Sequence, residues 1–261
     1  MKITILGSGT SGGVPMIGCS CAVCQSSDTR DKRLRSSVLL EENDQVIVID
    51  AGPDFRQQML REKVNKLDAI ILTHQHRDHT AGLDDIRAYN YFMGKPMDIY
   101  LSKTTEEAIR KEYHYVFEDV VYPGLPQMNF FFIENKSFQI GGVQFMPIAV
   151  RHLNMEVFGF RIHNFTYITD ANFITGAEKE KIKGSEILVL NALRKQKHIS
   201  HFNLEQALEF IAEVKPGKAY LTHISHQMGK HAEVEKELPP SVFLAYDGLQ
   251  LSLNPSSPEV L

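Results

Sequence analysis

The stretch His74-Gln75-His76-Arg77-Asp78-His79 decides how the rest of this sequence is interpreted. It places three imidazoles and one carboxylate within six positions. The apolar run directly before it, residues 69–72, predicts a buried strand. Imidazoles and a carboxylate at the end of a strand add little to a core, but they suit a pair of metal ions. The stretch therefore predicts a dinuclear centre with hydrolytic chemistry, whose ligands include His74, His76, Asp78 and His79.

The composition indicates one globular α/β domain covering residues 1–261. The chain has 261 residues, of which 43% are hydrophobic, and this is enough for one substantial core. Its net charge of −4 gives no overall field that would attract nucleic acid or an acidic membrane surface. No apolar run is long enough for a membrane-spanning helix, and the first residues do not form a secretory signal. We expect a cytoplasmic protein without a membrane partner.

Alternation of apolar runs and turn residues predicts two sheets with helices outside them, an α/β sandwich in layers. Helical patterns cover residues 54–62, 104–116 and 203–214, and the last of these follows Asn203, a good capping residue. The tail 254–261 is expected to be loose. Strands are predicted at residues 3–6, 38–40, 46–49, 69–72, 99–101, 130–133, 143–150, 158–162, 165–168, 187–190, 219–221 and 242–245.

Further metal ligands are predicted at the ends of other strands. A threonine followed by a ligand closes three apolar runs, at Thr73-His74, Thr169-Asp170 and Thr222-His223. His152 follows the run 143–150. Strand ends of this kind meet at one edge of a sheet, where α/β proteins place their sites. A lone histidine at a strand end is more often structural, but the order and context favour His152, Asp170 and His223 as ligands.

The three cysteines, Cys19, Cys21 and Cys24, lie within six residues and predict a second metal site. An odd number at such close spacing is a poor disulfide framework. A structural zinc ion needs a fourth ligand, and His226, three residues after His223, is the best candidate. The alternative is a set of three buried thiols without a metal. Four filled positions leave none open for a substrate, so the predicted zinc site is structural.

The ligand series resembles that of the metallo-β-lactamase superfamily, with its Thr-His-x-His-x-Asp-His motif and then a later His, Asp and His. The resemblance implies an αβ/βα four-layer sandwich and two divalent ions, zinc or manganese, in the active site. It implies that His74, His76 and His152 bind one ion, that Asp78, His79 and His223 bind the other, and that Asp170 bridges them. A water molecule activated by both cations would then be the nucleophile.

Other motifs resemble one branch of that superfamily, the branch that contains the phosphoribosyl 1,2-cyclic phosphate phosphodiesterase. They are the run 7–15, the cysteine pattern, Gly82-Leu-Asp-Asp-Ile-Arg87 and residues 221–227. The resemblance implies a phosphodiesterase acting on a small phosphorylated substrate. Two alternatives stay open: another phosphodiesterase or nuclease of this fold, and a metalloprotein like the pyrroloquinoline quinone biosynthesis protein B. All seven ligand positions are filled, which favours an enzyme over the latter.

A proton donor for the leaving group is the remaining part of the predicted site. The resemblance to the phosphodiesterase and ribonuclease Z branches implies His201 in this role, and Asp78 is expected to be catalytic as well as a ligand. The alternatives are His198 as the donor, or a surface or capping role for His201. The long Gly/Pro-rich arm with which ribonuclease Z grips tRNA has no counterpart here, which argues against nucleic acid as a partner.

Three further features carry open interpretations. Asp50 is either a residue that orients the ligand loop or a plain turn residue. The glycine-rich run 7–13 either binds a phosphate through its amides or allows two strands to approach closely. The aromatic helical segments favour core or homodimer packing over base stacking, and their residues are Tyr89, Tyr91, Phe92, Tyr113, Tyr115 and Phe117.

Overall fold

The computed structural model describes residues 1–118 and 122–253, so the predicted tail 254–261 lies outside the described residues. The helices are α1 (Phe55–Glu62), α2 (Arg77–Thr80), α3 (Arg87–Met93), α4 (Lys103–Glu112), α5 (Gly176–Ile182), α6 (Leu204–Val214) and α7 (His231–Val234). The strands are β1 (Lys2–Gly7), β2 (Ser37–Glu42), β3 (Gln45–Ile49), β4 (Ala69–Ile71), β5 (Met97–Leu101), β6 (Met128–Phe132), β7 (Phe138–Ile140), β8 (Val143–His152), β9 (Met155–Ile162), β10 (Phe165–Ile168), β11 (Phe173–Ile174), β12 (Ile187–Asn191), β13 (Lys218–Thr222), β14 (Val242–Leu244) and β15 (Gln250–Ser252).

Two mixed sheets form the centre of the fold. The first has the order β15-β1-β2-β3-β4-β5-β6, and its strands from β3 to β6 are parallel. The second has the order β11-β8-β9-β10-β12-β13-β14, with β7 also pairing β8, and its strands β10, β12, β13 and β14 are parallel. Each sheet therefore presents several carboxyl strand ends at one edge, where loops can gather functional side chains.

Alternating side chains divide the apolar residues into three layers. On β3, Ile47 and Ile49 point into the core between the sheets, whereas Val48 points to the outer face of the first sheet. That outer face is covered by α1, α3 and α4, and Phe55 of α1 is packed in it. Helices α5 and α6 cover the outer face of the second sheet, where Phe210 is packed. The predicted αβ/βα four-layer sandwich is confirmed.

Local sequence signals set the boundaries of the best-predicted elements. Asn203 caps α6 by accepting a hydrogen bond from the backbone N–H of Gln206, whose side chain accepts from the Asn203 backbone in return. Gly141 and Gly142 have φ angles of 52° and 84°, and they form the hairpin turn between β7 and β8. The predicted helix 104–116 was too long, because α4 ends at Glu112.

Strands that lack a clear apolar pattern were not predicted from the sequence. Strands β7, β11 and β15 are three, two and three residues long, too short for alternation to show. Of the aromatic residues, Tyr89 and Tyr113 pack in the core, whereas Tyr91 and Phe92 are 82% and 81% exposed. Among the residues that the structure describes, every helix is too short or too polar to cross a membrane.

Candidate metal centre

The predicted ligands follow strands whose carboxyl ends lie at a common edge. Asp170 comes two residues after β10, and His223 directly follows β13. Asp50 directly follows β3, and all three have positive φ angles, of 55°, 56° and 68° respectively. A left-handed backbone costs a residue with a Cβ atom about 1 kcal/mol or more, so such conformations concentrate where a site demands them. Here they turn three polar side chains sharply out of their strands.

Three histidines form the first group of the site. The ring of His76 lies 4.7 Å from that of His74 and 5.1 Å from that of His152, measured between centroids. Each ring offers a nitrogen within 4.8 Å of the other two, which is close enough to share one ion. His74 and His152 are buried, and His76 is the more exposed. The structure thus brings together the three side chains predicted for one ion.

A second group adjoins the first through Asp170. His79 Nε2 lies 3.1 Å from Asp170 Oδ2 and 3.3 Å from Asp78 Oδ2. His223 Nδ1 lies 3.2 Å from the same Oδ2 atom of Asp170. His74 also shares a potential ion position with His79 and Asp170. Asp170 therefore lies between the two groups, where a bridging ligand was predicted.

The chemistry of these groups fits divalent cations. Among the described residues, the buried His74 Nε2 atom has no hydrogen-bond partner, although buried polar atoms are nearly always paired. Burial lowers the pKa of His74 well below its usual value, so its ring is neutral and has a lone pair to donate. Burial also raises the pKa of Asp170, but the His223 and His79 imidazoles outweigh it and hold that pKa well below the usual range. The neutral His74 ring and the ionised Asp170 carboxylate are donors that a zinc-like cation prefers. Although His79 is buried, the carboxylates of Asp50, Asp170 and Asp78 raise its pKa well above the usual value, so a cation bound there would replace a proton.

Asp50 holds two parts of the metal centre in place, the ring of His79 and the backbone at Thr73. Its Oδ2 atom lies 2.7 Å from His79 Nδ1, and its Oδ1 atom accepts a hydrogen bond of 2.9 Å from the backbone N–H of Thr73. Asp50 is fully buried. A carboxylate that holds one ring nitrogen of a histidine fixes the other for a metal. This geometry supports the orienting role for Asp50 and not the interpretation as a plain turn residue. The nearby Asp54 has a different partner, because it accepts hydrogen bonds from Arg35.

We expect Asp50→Ala to weaken zinc binding at the centre by about 10-fold to 100-fold, because His79 loses the partner that orients its ring. Competition with a chromophoric chelator measures the affinity. Asp54→Ala is the matched control, since Asp54 lies in the same segment but contacts Arg35. Equal zinc affinity in Asp50→Ala and the wild-type chain would contradict the orienting role.

His201 lies against the same centre. Its ring centroid is 4.5 Å from that of His152 and 4.9 Å from that of His223. Its Nδ1 atom lies 3.6 Å from Asp170 Oδ1 and has no hydrogen-bond partner among the described residues. His198 packs on His201, with 5.2 Å between the ring centroids, but it is less buried and belongs to none of the groups of potential ligands. The geometry favours His201 over His198.

Thr10 and Ser36, which were not predicted from the sequence, contact His223, the last of the predicted ligands. Thr10 Oγ1 lies 3.2 Å from His223 Nε2, and Ser36 Oγ lies 3.2 Å from His223 Nδ1. The glycine-rich run brings Thr10 there by passing close to other backbone. A Cβ atom on Gly7 would lie 1.9 Å from the Arg35 carbonyl oxygen, so only glycine fits. This geometry supports the close approach of strands as the reason for the glycines.

The predicted cysteine site is assembled in the structure. Cys19 Sγ and Cys21 Sγ lie 3.3 Å and 3.4 Å from His226 Nδ1, and Cys24 completes a group of four ligand atoms. Backbone N–H groups also reach the sulfurs, from Cys24 to Cys21 and from Met16 to Cys24. The backbone contact from Cys24, with the nearby His226, lowers the pKa of Cys21 to about 6, so a thiolate is available for a metal.

We expect Cys24→Ala to lower the zinc content by about one ion per chain and to lower Tm, because a structural zinc ion contributes directly to folding stability. Metal analysis and thermal unfolding measure both effects. Ser20→Ala, at the exposed position between two of the cysteines, is the control and should change neither. Undiminished zinc content in Cys24→Ala would show that the cysteines are free thiols.

Comparisons with known proteins agree with the fold. The family model of the beta-lactamase superfamily domain matches residues 45–224. A crystal structure of a new diphosphatase from the PhnP family has a TM-score of 0.91 and 38% sequence identity, covering 97% of this chain and 98% of its own. Zn²⁺-bound PqqB from Methylobacterium extorquens has a TM-score of 0.77 at 22% identity, covering 97% of this chain and 100% of its own, and so shares the fold.

A curated relative is longer than this chain. An octanoyltransferase from Porphyromonas gingivalis (strain ATCC BAA-308 / W83) is 38% identical over 253 residues, which are 96% of this chain and 51% of that protein. The chain thus spans about half the length of this relative. The name describes the whole relative, and the histidine and aspartate side chains described above give no ground for carrying an acyl-transfer activity to this chain.

Proposed function

Because this chain belongs to the family of the beta-lactamase superfamily domain, we propose that it is a metal-dependent hydrolase of small phosphate diesters. A cyclic ester such as phosphoribosyl 1,2-cyclic phosphate is the substrate that the sequence motifs favour. The observation that carries the proposal is the convergence of the seven predicted ligand side chains. Asp170 contacts His79 and His223 of the second group, and it lies within 4.8 Å of ring nitrogens of His74 and His152 of the first. The diphosphatase of the PhnP family, at 38% identity, supports a phosphorus-centred reaction.

One set of side chains would bind the metal ions, and a different side chain would transfer the proton. Bound divalent cations would offset the charge on phosphoryl oxygens and lower the pKa of a water molecule. His74, His76 and His152 would hold one ion, while Asp78, His79 and His223 would hold the other, with Asp170 shared. Asp50 keeps the His79 ring oriented through its 2.7 Å contact with Nδ1. Five of the predicted ligands are buried, whereas Asp78 is half-buried and His76 is exposed.

His201 is the proposed proton donor to the leaving oxygen. Burial, and then the nearby His223, lower the pKa of His201 to about 3, so its ring is neutral in the free protein at pH 7. An anionic phosphate placed against this ring would favour the protonated form and raise that pKa. The donor would therefore become charged when the substrate is bound. This step matters most for a sugar or alkyl oxygen, which is a poor leaving group unless it is protonated.

A second candidate activity is hydrolysis of a phosphoric anhydride. It is favoured by the likeness to the diphosphatase of the PhnP family, which extends over 97% of this chain. Such a substrate releases a phosphate group, which leaves without needing a proton from His201. The two candidates therefore differ in how much they depend on that residue.

A substrate panel separates the two activities. It contains bis(p-nitrophenyl) phosphate, a cyclic ribose phosphate and a dinucleoside diphosphate, each assayed with zinc and with manganese. We expect the cyclic ribose phosphate to give the highest kcat/KM, because it is small and its leaving oxygen uses His201. A preference for the dinucleoside diphosphate would favour the anhydride activity instead. Hydrolysis of none of the three would refute both.

A further inference from the structure

Asn172 joins three segments beside the candidate centre. It lies two residues after Asp170, and its Oδ1 atom accepts a hydrogen bond of 2.9 Å from the backbone N–H of Leu153. Its Nδ2 atom donates a hydrogen bond of 3.1 Å to the carbonyl oxygen of Ile199. Its own backbone N–H donates to the carbonyl oxygen of Arg151. One half-buried side chain thus links the segments that carry His152, Asp170 and His201.

The segment that carries His201 depends on such contacts for its position. In the described part of the chain, residues 192–203 between β12 and α6 form neither a helix nor a strand. His152 Nδ1 lies 2.7 Å from the Ser200 carbonyl oxygen, and the Phe202 N–H donates to the Ala171 carbonyl oxygen. The Asn172 amide adds the contact at Ile199. Residues 199, 200 and 202, on both sides of His201, are therefore held by His152 or by residues that closely follow Asp170.

We propose that Asn172 is a positioning residue that sets the distance between His201 and the leaving oxygen. This inference rests on the proposed function, in which His201 is the proton donor. A proton donor works when it lies about 2.6–3.2 Å from the oxygen that it protonates. A displacement of about 1 Å can lower the rate by about 100-fold. Asn172 acts through His201, and its side chain is committed to the backbone of Leu153 and Ile199.

The dependence on the leaving group distinguishes positioning from general damage. Asn172→Ala should lower kcat by about 10-fold to 100-fold for a cyclic ribose phosphate, whose leaving group is an alkoxide. It should change kcat less than about 3-fold for bis(p-nitrophenyl) phosphate, because nitrophenolate leaves without a proton. KM and metal content should stay as in the wild-type chain. A misfolded variant or one short of metal would lose both activities in parallel.

Two further variants sharpen the test. Asn172→Asp keeps the acceptor for the Leu153 N–H but loses the donor to the Ile199 carbonyl oxygen, so it should show the same selective loss. Asn129→Ala is the matched control, because it removes a single exposed hydrogen bond of 3.0 Å, from Asn129 on β6 to Asp98 on β5. In a chain that already carries His201→Ala, Asn172→Ala should add almost nothing, since the two residues act as one unit.

The kinetics of these variants either support or overturn the assignment of Asn172 as a positioning residue. A selective loss in Asn172→Ala that disappears in the His201→Ala background supports it. Parallel loss on both esters, full activity on both, or additive effects of the two substitutions would overturn the assignment but leave the proposed function standing. A wild-type chain that hydrolyses neither ester would overturn the proposed function, and the assignment with it.

Discussion

Asp170→Asn is expected to lower kcat/KM for phosphate ester hydrolysis by about three orders of magnitude and to release part of the bound metal. The carboxylate contacts His79 Nε2 and His223 Nδ1, and its other oxygen faces His201. It also lies within 4.8 Å of ring nitrogens of His74 and His152, so it adjoins both groups of predicted ligands. Metal ions contribute several kcal/mol to hydrolytic catalysis, and about 4 kcal/mol corresponds to a factor of about 1,000 in rate.

The asparagine variant keeps the shape of the side chain, so a large loss reports on its charge. Metal content by mass spectrometry and kcat/KM are the two measurements, and circular dichroism checks the fold. Asp68→Asn is the control, because Asp68 also accepts a backbone hydrogen bond, from Val46, but lies at the opposite end of the strands. Wild-type metal content together with wild-type kcat/KM in Asp170→Asn would remove Asp170 from the centre.

His201→Ala should lower kcat for a cyclic ribose phosphate by about 100-fold to 10,000-fold, the range that a general acid contributes. The loss on bis(p-nitrophenyl) phosphate should be far smaller, because its leaving group needs no proton. Metal content should change little, since the seven predicted ligands do not include His201, although its ring also lies within 4.8 Å of ligand atoms of His152 and Asp170. Kinetics on both substrates, with metal analysis of the same preparation, measure these effects.

The neighbouring histidine supplies the comparison. His198→Ala removes a similar ring whose centroid lies 5.2 Å from that of His201 and which belongs to none of the groups of potential ligands, so its effect on either substrate should be small. A larger loss in His198→Ala than in His201→Ala would exchange their roles. Equal losses of His201→Ala on both substrates would place His201 in metal binding or structure instead of proton transfer.

The candidate site could be assembled from the sequence because its residues follow recognisable strands. The Thr-ligand pattern located Asp170 and His223, and the cysteine spacing located the second site with His226 as its fourth member. That these side chains bind ions stays a prediction, which the metal analyses above test. The apolar runs likewise located twelve of the strands, since each places apolar side chains in one of the three apolar layers or, for β6, against one.

The supporting contacts could not be predicted in the same way. Thr10 and Ser36 reach His223 across more than 180 residues of sequence, and neither belongs to a pattern that marks it. The positioning role proposed for Asn172 depends on its hydrogen bonds to two backbone groups on separate segments. Side-chain to backbone contacts between distant loops depend on the folded geometry, so a sequence alone does not reveal them.

The central claim is that divalent ions in the centre of His74, His76, Asp78, His79, His152, Asp170 and His223 hydrolyse a phosphate ester. Its most direct test is release of p-nitrophenol from bis(p-nitrophenyl) phosphate by the purified chain, before and after removal of metal with a chelator. We expect activity to be lost with the chelator and to return when about two equivalents of zinc or manganese are added to chains whose cysteine site is filled. Absence of any hydrolysis by the fully metallated chain, or activity that persists without metal, would contradict the claim.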